Sequence, residues 1–331
     1  MTDNPRNRIE QNSVWTTLRQ WFDSEAQTTA SGPPASPYTV DWLRAVPLIL
    51  VHLMCLLVFW VGVSPTALVV AAVLYLVRMF AITGIYHRYF SHRTYKVNRV
   101  WQFVFALAGS SAMQRGPLWW AAHHRHHHRC ADQPDDPHSP VQHGFWWSHV
   151  GWILSPANFP TRWPYVKDWA RFPELRWLNR WDILMPLVLA AFLYGLGELL
   201  AAVAPGLRTN GPQLLIWGFA VSTIVLLHAT MTINSIDHLI GTRRYDTPDH
   251  SRNNALLALI TLGEGWHNNH HHYPISARQG FFWWEVDITY YILRLMVLLG
   301  IVSDLRPLPA NVRNGRKSGR PSAMGAEEQG R

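Results

Sequence analysis

Several features that would define a secreted, nucleic-acid-binding or hydrolytic protein are missing from this sequence. Only two cysteines occur in 331 residues, Cys55 in an apolar run and Cys130 after a histidine cluster, so no disulfide framework is predicted. The first forty residues contain no apolar run typical of a cleavable signal peptide. The formal charge is +8, but no basic stripe with interleaved aromatics lies outside the tails. We therefore expect no nucleic-acid partner.

Long apolar runs are abundant instead. Hydrophobic residues make up 48% of the chain, and they collect in four segments, at about 43–63, 67–86, 181–204 and 213–234. At ~1.5 Å per residue, each segment spans about 30 Å, the thickness of the hydrocarbon core of a bilayer. Only short turns, at 64–66 and 205–212, separate the members of each pair. The pattern predicts an integral membrane protein with four transmembrane helices in two hairpins.

The distribution of basic residues predicts the orientation. Arg208 is the only basic residue in the two short turns, whereas most Lys and Arg lie in the termini and in residues 87–180 and 239–331. The positive-inside rule places those segments in the cytoplasm. We therefore predict an all-α membrane protein whose four helices carry a helical cytoplasmic cap. Arg78 interrupts the second helix, and it either serves a function there or extends toward the interface; the second interpretation is slightly favoured.

Flanking segments complete the predicted organisation. Residues 1–42 form an N-terminal cytoplasmic segment, 43–305 the main domain and 306–331 a disordered tail. The apolar runs at 104–112 and 281–301 carry too many polar residues to span a membrane, so we predict interfacial or packed helices. An amphipathic helix near the start lies either on the bilayer or against the domain. Its apolar face consists of Val14, Trp15, Leu18, Trp21 and Phe22.

Three histidine-rich segments dominate the chemistry of the sequence. In two of them, histidines recur at positions i, i+3 and i+4, which places three imidazoles on one helix face; these are His124, His127 and His128, and His267, His270 and His271. His123, His126 and His127 have the same spacing, so spacing alone leaves the register of that segment open. In the third segment, His87 and His92 are five positions apart, about 140° around an ideal helix. They suit two different metal ions or a helix end that unwinds.

Asn234 and His238, at i and i+4, add to this set. Together the segments supply nine imidazoles and one amide, too many for one ion and suitable for two. Imidazole suits iron, zinc and copper alike, but the absence of a His-Glu-x-x-His motif weakens a zinc hydrolase. Cys130 is more simply a buried thiol than a ligand. The remaining histidines predicted not to be ligands are His138, His143, His149, His228 and His272.

Ligand histidines need their second ring nitrogen oriented by a carboxylate or a carbonyl. Five acidic residues lie close enough to the histidine segments in sequence to serve, and a solvated or capping role is equally compatible with each. They are Asp132, Asp135, Asp136, Asp237 and Glu264.

Four motifs together resemble those of the membrane fatty acyl-CoA desaturases of the stearoyl-CoA type. They are His87-Arg-Tyr-Phe-Ser-His92, His124-Arg-His-His-His128, Asn234-Ser-Ile-Asp-His238 and Gly263-Glu-Gly-Trp-His-Asn-Asn-His-His271. The resemblance covers about residues 40–305. Trp119-Trp120 and Gly144-Phe-Trp-Trp147 resemble the bacterial members, which implies a bacterial inner membrane.

The resemblance implies a di-iron centre with nine histidine ligands and with Asn234 contacting one iron through water. The family pattern His-Arg-x-His-His favours His124, His127 and His128 over the alternative register. It also implies insertion of a cis double bond, commonly at the ninth carbon, with O2 and two electrons. Redox-inert zinc could not break an unactivated C–H bond.

The resemblance further implies a long-chain acyl substrate and an electron donor. No fused donor domain is recognised, so we expect a separate ferredoxin, rubredoxin or cytochrome b5 type donor with its reductase. The head group stays open among CoA, acyl carrier protein and a glycerolipid. Substrate contacts are predicted for Trp119 and Trp120 and, through the phosphates of a thioester, for Arg88, Arg93, Arg243 and Arg244. We hypothesise that Ala71 and Tyr75, one turn apart on the second helix, close the far end of an acyl tunnel.

Two alternatives use the same residues differently. A membrane di-iron hydroxylase of the alkane or fatty-acid type would share the ligand set and keep the oxygen. A histidine-rich metal transporter would place its ligands near the middle of the bilayer. Here the histidines lie at and beyond the helix ends, which favours the desaturase.

Overall fold

The computed structural model describes Trp15, residues 18–26 and residues 38–315. These residues form helices and irregular segments, with isolated bridges but no strand. Four helices are long and apolar enough to cross a membrane: Trp42–Val61, Pro65–Ser91, Leu184–Val203 and Gly211–His238. The predicted all-α membrane architecture with four spans is therefore confirmed. The second and fourth spans continue past their predicted ends and carry their histidines into the cap.

Local sequence explains the first hairpin. The side chain of Asp41 caps the first span by accepting from the amide of Arg44, and Gly62, at a φ of 67°, ends that span. The side chain of Ser64 then caps the second span, which begins with Pro65. The chain thus reverses within three residues.

The two hairpins meet at the end of the bundle opposite the histidine motifs. Ser64 Oγ donates to Gln213 Oε1 at 2.6 Å, and Trp217 Nε1 donates to the carbonyl oxygen of Gly62 at 2.8 Å. These polar bonds tie the first turn to the start of the fourth span. The first hairpin is thereby held against the fourth span at this end, and the cap lies at the other end of the spans.

The cap consists of short helices joined by irregular chain. Its helices are Arg99–Ser110, Pro117–Cys130, Pro140–His143, Phe145–His149, Lys167–Ala170, Pro173–Arg180, Ala255–Ile260, His267–His272, Ile288–Leu298 and Ala310–Arg313. Two of these helices, Arg99–Ser110 and Ile288–Leu298, correspond to the short apolar runs noted in the sequence. The cap also reaches beyond residue 305, because Tyr245 Oη donates to the carbonyl oxygen of Arg313 at 2.7 Å. Of the predicted disordered tail, residues 316–331 lie outside the described residues.

The end of the second span, Ala81–Ser91, is a π-helix. Its last bond runs from the amide of His92 to the carbonyl oxygen of His87, five residues back, at 3.1 Å. Residues five apart therefore share a face, and the rings of His87 and His92 lie 4.8 Å apart. Of the two alternatives for this pair, the structure agrees with a helix end that unwinds, because a π-helix turns less per residue than an α-helix and so brings the two rings to the same place.

Arg78 does not extend toward the interface, which corrects the favoured prediction. Its side chain is buried and donates to Thr223 Oγ1 at 2.7 Å, to Ser222 Oγ and to the carbonyl oxygen of Ser111 at 3.3 Å. The guanidinium thus bonds the second span to the fourth inside the protein.

The described part of the N-terminal segment packs against the cap. Asp23 accepts two bonds from Arg180, at 2.9 and 2.7 Å. Gln20 Oε1 accepts from Arg44 Nη2 at 2.7 Å. Trp15 and Phe22 point outward and are 71% and 56% exposed. Residues 18–26 therefore lie against the domain, while Val14, part of the predicted apolar face, lies outside the described residues.

Candidate metal centre

The structure brings the nine candidate histidines together in two adjacent groups. In each group the ring nitrogens lie within 4.8 Å of one another. The first group contains His87, His92, His124, His128 and His270, and the second contains His127, His238, His267 and His271. Each group draws on residues from distant parts of the chain. Both groups could hold a metal ion.

The nitrogen separations within the groups suit shared coordination. His92 Nε2 lies 2.8 Å from His124 Nε2, and His270 Nε2 lies 3.0 Å from His87 Nε2 and 2.9 Å from His128 Nε2. In the second group, His238 Nε2 is 3.0 Å from the same atom of His267. Two nitrogens bound to one metal at ~2.1 Å and at right angles would be roughly 3.0 Å apart. The arrangement therefore fits ligands that converge on an ion.

Four carboxylates orient the opposite ring nitrogens. Glu264 pairs with His87 Nδ1, whereas Asp136, Asp132 and Asp249 pair with the Nδ1 atoms of their histidines at 2.9, 2.7 and 2.8 Å. The histidines held by these three aspartates are His127, His238 and His271 respectively. A carboxylate at Nδ1 holds the proton there and leaves Nε2 as a lone pair for a metal.

The electrostatics of the site keep the carboxylates ionised and several of the imidazoles neutral. His127 differs, because burial opposes its protonation but the charge of Asp136 outweighs this and raises the pKa of His127. Burial opposes ionisation of Asp249, yet contacts with His271 and Ser251 hold the pKa of this carboxyl well below its usual range. Burial and neighbouring imidazoles lower the pKa of His124, His128 and His270 well below 6.5. Neutral imidazole is the form that binds metals.

The other histidines have partners outside the two groups, apart from His138. His126 contacts Tyr165 Oη at 2.9 Å and the carbonyl oxygen of Asp135 at 3.0 Å, which leaves His124, His127 and His128 for the groups. His138 lies 3.7 Å from Asp136, within a third cluster that also includes His127. The remaining histidines predicted not to be ligands bond elsewhere. His143 contacts the carbonyl oxygen of Asp136, and His272 contacts that of Val312. His149 contacts Ser235 and His228, and His228 also contacts His52.

Two cavities meet at the first histidine group. The outer cavity lies between the first and third spans, and the inner one extends among Met79, Ile82 and Ile233 of the second and fourth spans. Both are lined by Trp120, His124, Thr230 and Asn234. The Trp120 ring stacks on that of His124, with centroids 5.0 Å apart. An apolar chain could therefore pass from the outer cavity to the inner one across the histidines.

Only some of the predicted substrate residues line the two cavities. Trp119 and Trp120 line the outer cavity. Among the described residues that line the two cavities, none is Ala71 or Tyr75, and Tyr75 Oη instead donates to the carbonyl oxygen of Ile260. Arg88 is 1% exposed and pairs with Glu264 and Asp287 inside the protein, so burial removes it from the contacts that a substrate phosphate could make.

The other three arginines lie in the cap and bond to the protein itself. Arg93 pairs with Asp168 at 3.3 Å, and Arg244 pairs with Glu285. Arg243 Nη2 donates to the carbonyl oxygens of Thr247 and Asp249 at 2.7 and 2.8 Å. A role for these three arginines in substrate binding stays a prediction.

Sequence reasoning missed two residues that contact the histidines. Asp249 lies between the fourth span and the His267–His272 helix, in a stretch with no metal-binding pattern. Gln279 Nε2 lies 3.3 Å from His87 Nδ1 and 3.4 Å from His270 Nδ1. Of the proposed orienting acids, Asp132, Asp136 and Glu264 contact a histidine of the two groups. Asp135 binds His126 through its backbone, and the buried carboxylate of Asp237 has no hydrogen-bond partner among the described residues.

Comparison with known proteins agrees with the arrangement. A family model described as fatty acid desaturase matches residues 59–298. The chain is 36% identical to the sn-2 palmitoyl-lipid 9-desaturase of Nostoc sp. (strain 36), over 81% of this chain and 91% of the relative. It is 34% identical to the sn-1 stearoyl-lipid 9-desaturase of Synechocystis sp., over 88% of this chain and 87% of the relative. It is also 33% identical to the acyl-CoA C20 Delta5-desaturase of Anemone leveillei, over 72% of this chain and 73% of the relative.

Proposed function

Because this chain belongs to the fatty acid desaturase family, we propose that it inserts a cis double bond into a saturated long-chain acyl group, at the ninth carbon, with O2 and two electrons. The observation that carries the proposal is the position of the two histidine groups, directly beside cavities lined by Trp120, His124 and Asn234. The relatives that are named 9-desaturases support the bond position.

The cofactor in this proposal is a pair of iron ions. The five histidines of the first group would hold one iron. The four of the second group, with Asn234 through water, would hold the other. When bound, the pair would supply the oxidising power to remove two hydrogens from an unactivated chain. All-imidazole donor sets with carboxylates behind them suit a redox-active metal of this kind.

The residues of the chain position the substrate and the ligands. Trp120 stacks on His124, and both residues line the cavity, so the indole ring would help to position the acyl chain beside the histidines. Met79, Ile82 and Ile233 of the inner cavity offer an apolar surface to the distal part of the chain and exclude water. A chain that is held rigidly favours removal of the second hydrogen over capture of a hydroxyl group.

The remaining parts of the proposal concern the partners and the location. The electrons come from a separate donor of the ferredoxin, rubredoxin or cytochrome b5 type with its reductase. The protein lies in the bacterial inner membrane, with its cap in the cytoplasm, because the basic residues cluster on the cap side. The acyl group arrives either as a thioester or as part of a lipid, since the relatives include both kinds of desaturase by name.

A fatty-acid profile tests the proposal. Wild type and His271→Ala would be expressed in a host that lacks aerobic desaturation, and double bonds would be located by mass spectrometry of derivatised fatty acids. We expect a new cis monoene with the wild type alone. A hydroxy fatty acid would instead identify a hydroxylase. If an electron donor is supplied and no product forms although the purified chain holds two irons, desaturation is refuted.

A further inference from the structure

The outer cavity contains a buried guanidinium with an unused donor. Arg44 lies on the first span, and its side chain is 8% exposed. Its Nη2 atom donates to Gln20, and its Nε atom lies 3.5 Å from a carboxylate oxygen of Asp41. The Nη1 atom is buried without a hydrogen-bond partner in the described part of the chain. A buried guanidinium N–H without an acceptor is costly, so an oxygen of a ligand in the cavity would bind favourably at this atom.

An aromatic ring fixes the direction in which this donor points. The Arg44 guanidinium lies over the ring of Phe159, 3.6 Å from its centroid. A second guanidinium, that of Arg115, lies 4.0 Å from the same centroid and pairs with Asp182 at 2.8 Å. All of these residues line the outer cavity. The stacking holds Arg44 against the cavity wall and leaves Nη1 for a ligand.

The same cavity also contains an unused acceptor. His123 Nε2 lies 3.2 Å from the carbonyl oxygen of Pro160, so that nitrogen carries the proton. His123 Nδ1 is then a lone pair, and it is buried without a hydrogen-bond partner in the described residues. The site therefore suits a ligand with a carbonyl oxygen and a hydroxyl group.

The walls of the cavity indicate how such a ligand enters. Pro47 and Leu48 of the first span face Ile183 and Pro186 at the start of the third. On the cap side the cavity is covered by Gln20 and Trp21, whose segment is tied down by the bonds between Asp23 and Arg180. A ligand that enters between two spans at the membrane surface comes from the bilayer.

We propose that Arg44 binds the acyl carbonyl oxygen of a membrane glycerolipid, whose chain runs through the outer cavity to the histidine groups. Nη1 of Arg44 donates to the ester oxygen, and His123 Nδ1 accepts from a hydroxyl group of the same lipid. This inference rests on the proposed desaturase function and selects a lipid-linked substrate over a soluble thioester. It also makes the distance from Arg44 to the histidines a determinant of the double-bond position.

The test uses the full-length, iron-loaded protein in proteoliposomes with ferredoxin, ferredoxin reductase and NADPH. One preparation contains phosphatidylglycerol with deuterated stearoyl chains, and the other receives deuterated stearoyl-CoA in a carrier lipid without saturated chains. We expect labelled monoene in the intact lipid. The variant Arg44→Met should raise KM for the lipid by about tenfold or more with a smaller change in kcat. Arg99→Met, an exposed cap residue paired with Glu174, is the matched control and should behave like wild type.

Each outcome is informative. Desaturation of stearoyl-CoA alone would overturn the lipid inference and leave the desaturase standing. Desaturation of neither substrate by iron-loaded protein would overturn the proposed function itself. Unchanged lipid kinetics in Arg44→Met would overturn the role of this residue. Photolabelling guards against misfolding as an explanation: a lipid with a diazirine beside its ester should label wild type near residue 44, and Arg44→Met, with its iron content intact, should lose that labelling.

Discussion

Arg88 is the residue whose replacement tests the interior of the cap most directly. Its guanidinium lies 2.9 Å from Asp287, 3.2 Å from Glu264 and 2.8 Å from the carbonyl oxygen of Ala277. Glu264 in turn pairs with His87. The substitution Arg88→Met keeps much of the side-chain volume and removes the charge. It leaves two carboxylates buried beside a histidine group with one fewer positive partner.

The expected cost is large because the partners are buried. Asp287 is 0% and Glu264 6% exposed, so neither carboxylate can recover hydration. Breaking a buried ion pair from one side costs about 3–5 kcal/mol. For a chain of this size we expect the melting temperature to fall by roughly 5–15 °C. Glu264 should also take up a proton more readily, because Arg88 and His87 are what hold the pKa of this buried carboxyl below its usual range.

The assay is thermal unfolding of the purified protein in detergent, followed by circular dichroism, together with iron content. Arg93→Met is the matched control, because the Arg93 side chain is 52% exposed and its ion pair with Asp168 is worth little. If Arg88→Met melts within about 2 °C of wild type while Arg93→Met does so too, the reasoning on buried charge is refuted.

Three further predictions follow from the same contacts. Asp249→Asn should lower iron affinity or activity by about 10–100-fold, because it weakens the hold on His271 Nδ1; elemental analysis and turnover rates would show this, and unchanged values would contradict it. Metal-free protein should lose stability as the pH falls below about 6.5. Burial lowers the pKa of His128, His267 and His270 in the folded state, so the unfolded chain binds more protons in this range and is favoured by acid. Equal melting temperatures at pH 7.5 and 5.5 would argue against this prediction. Met79→Phe should shorten the preferred acyl chain by filling the inner cavity, whereas Tyr75→Ala should leave product lengths unchanged. The reverse pattern in fatty-acid profiles would instead support the hypothesis that Ala71 and Tyr75 close the acyl tunnel.

The parts of the structure that follow regular periods could be predicted from the sequence. Four runs of about twenty apolar residues indicate spans whatever surrounds them. The spacing of His267, His270 and His271 indicates one helix face. Such patterns depend only on backbone geometry. The structure has four spans, and one helix supplies His270 to the first histidine group and His267 and His271 to the second.

The features that depend on tertiary contacts or on irregular backbone could not be predicted. On an ideal α-helix the spacing of His87 and His92 places the two rings on different faces. No residue pattern in the sequence indicates that Ala81–Ser91 forms a π-helix instead. Arg88 is predicted to meet the phosphates of a thioester because it is a basic residue on the predicted cytoplasmic side, but its partners Glu264 and Asp287 lie more than 170 residues away in the sequence. Asp249 contacts His271 across 22 positions, with no periodicity to reveal it.

The histidine groups have a consequence for folding, because each joins segments that are far apart in the chain. The first group brings His92 beside His124, 32 positions away, and His128 beside His270, 142 positions away. A bound ion therefore stabilises the folded cap by its binding free energy, because ligands from such distant segments are brought together only in the folded chain. The two cysteines of this chain are free. We therefore expect iron supply to control how much of the protein survives in the cell, since the iron-free cap should open and be cleaved by proteases far faster than the loaded one.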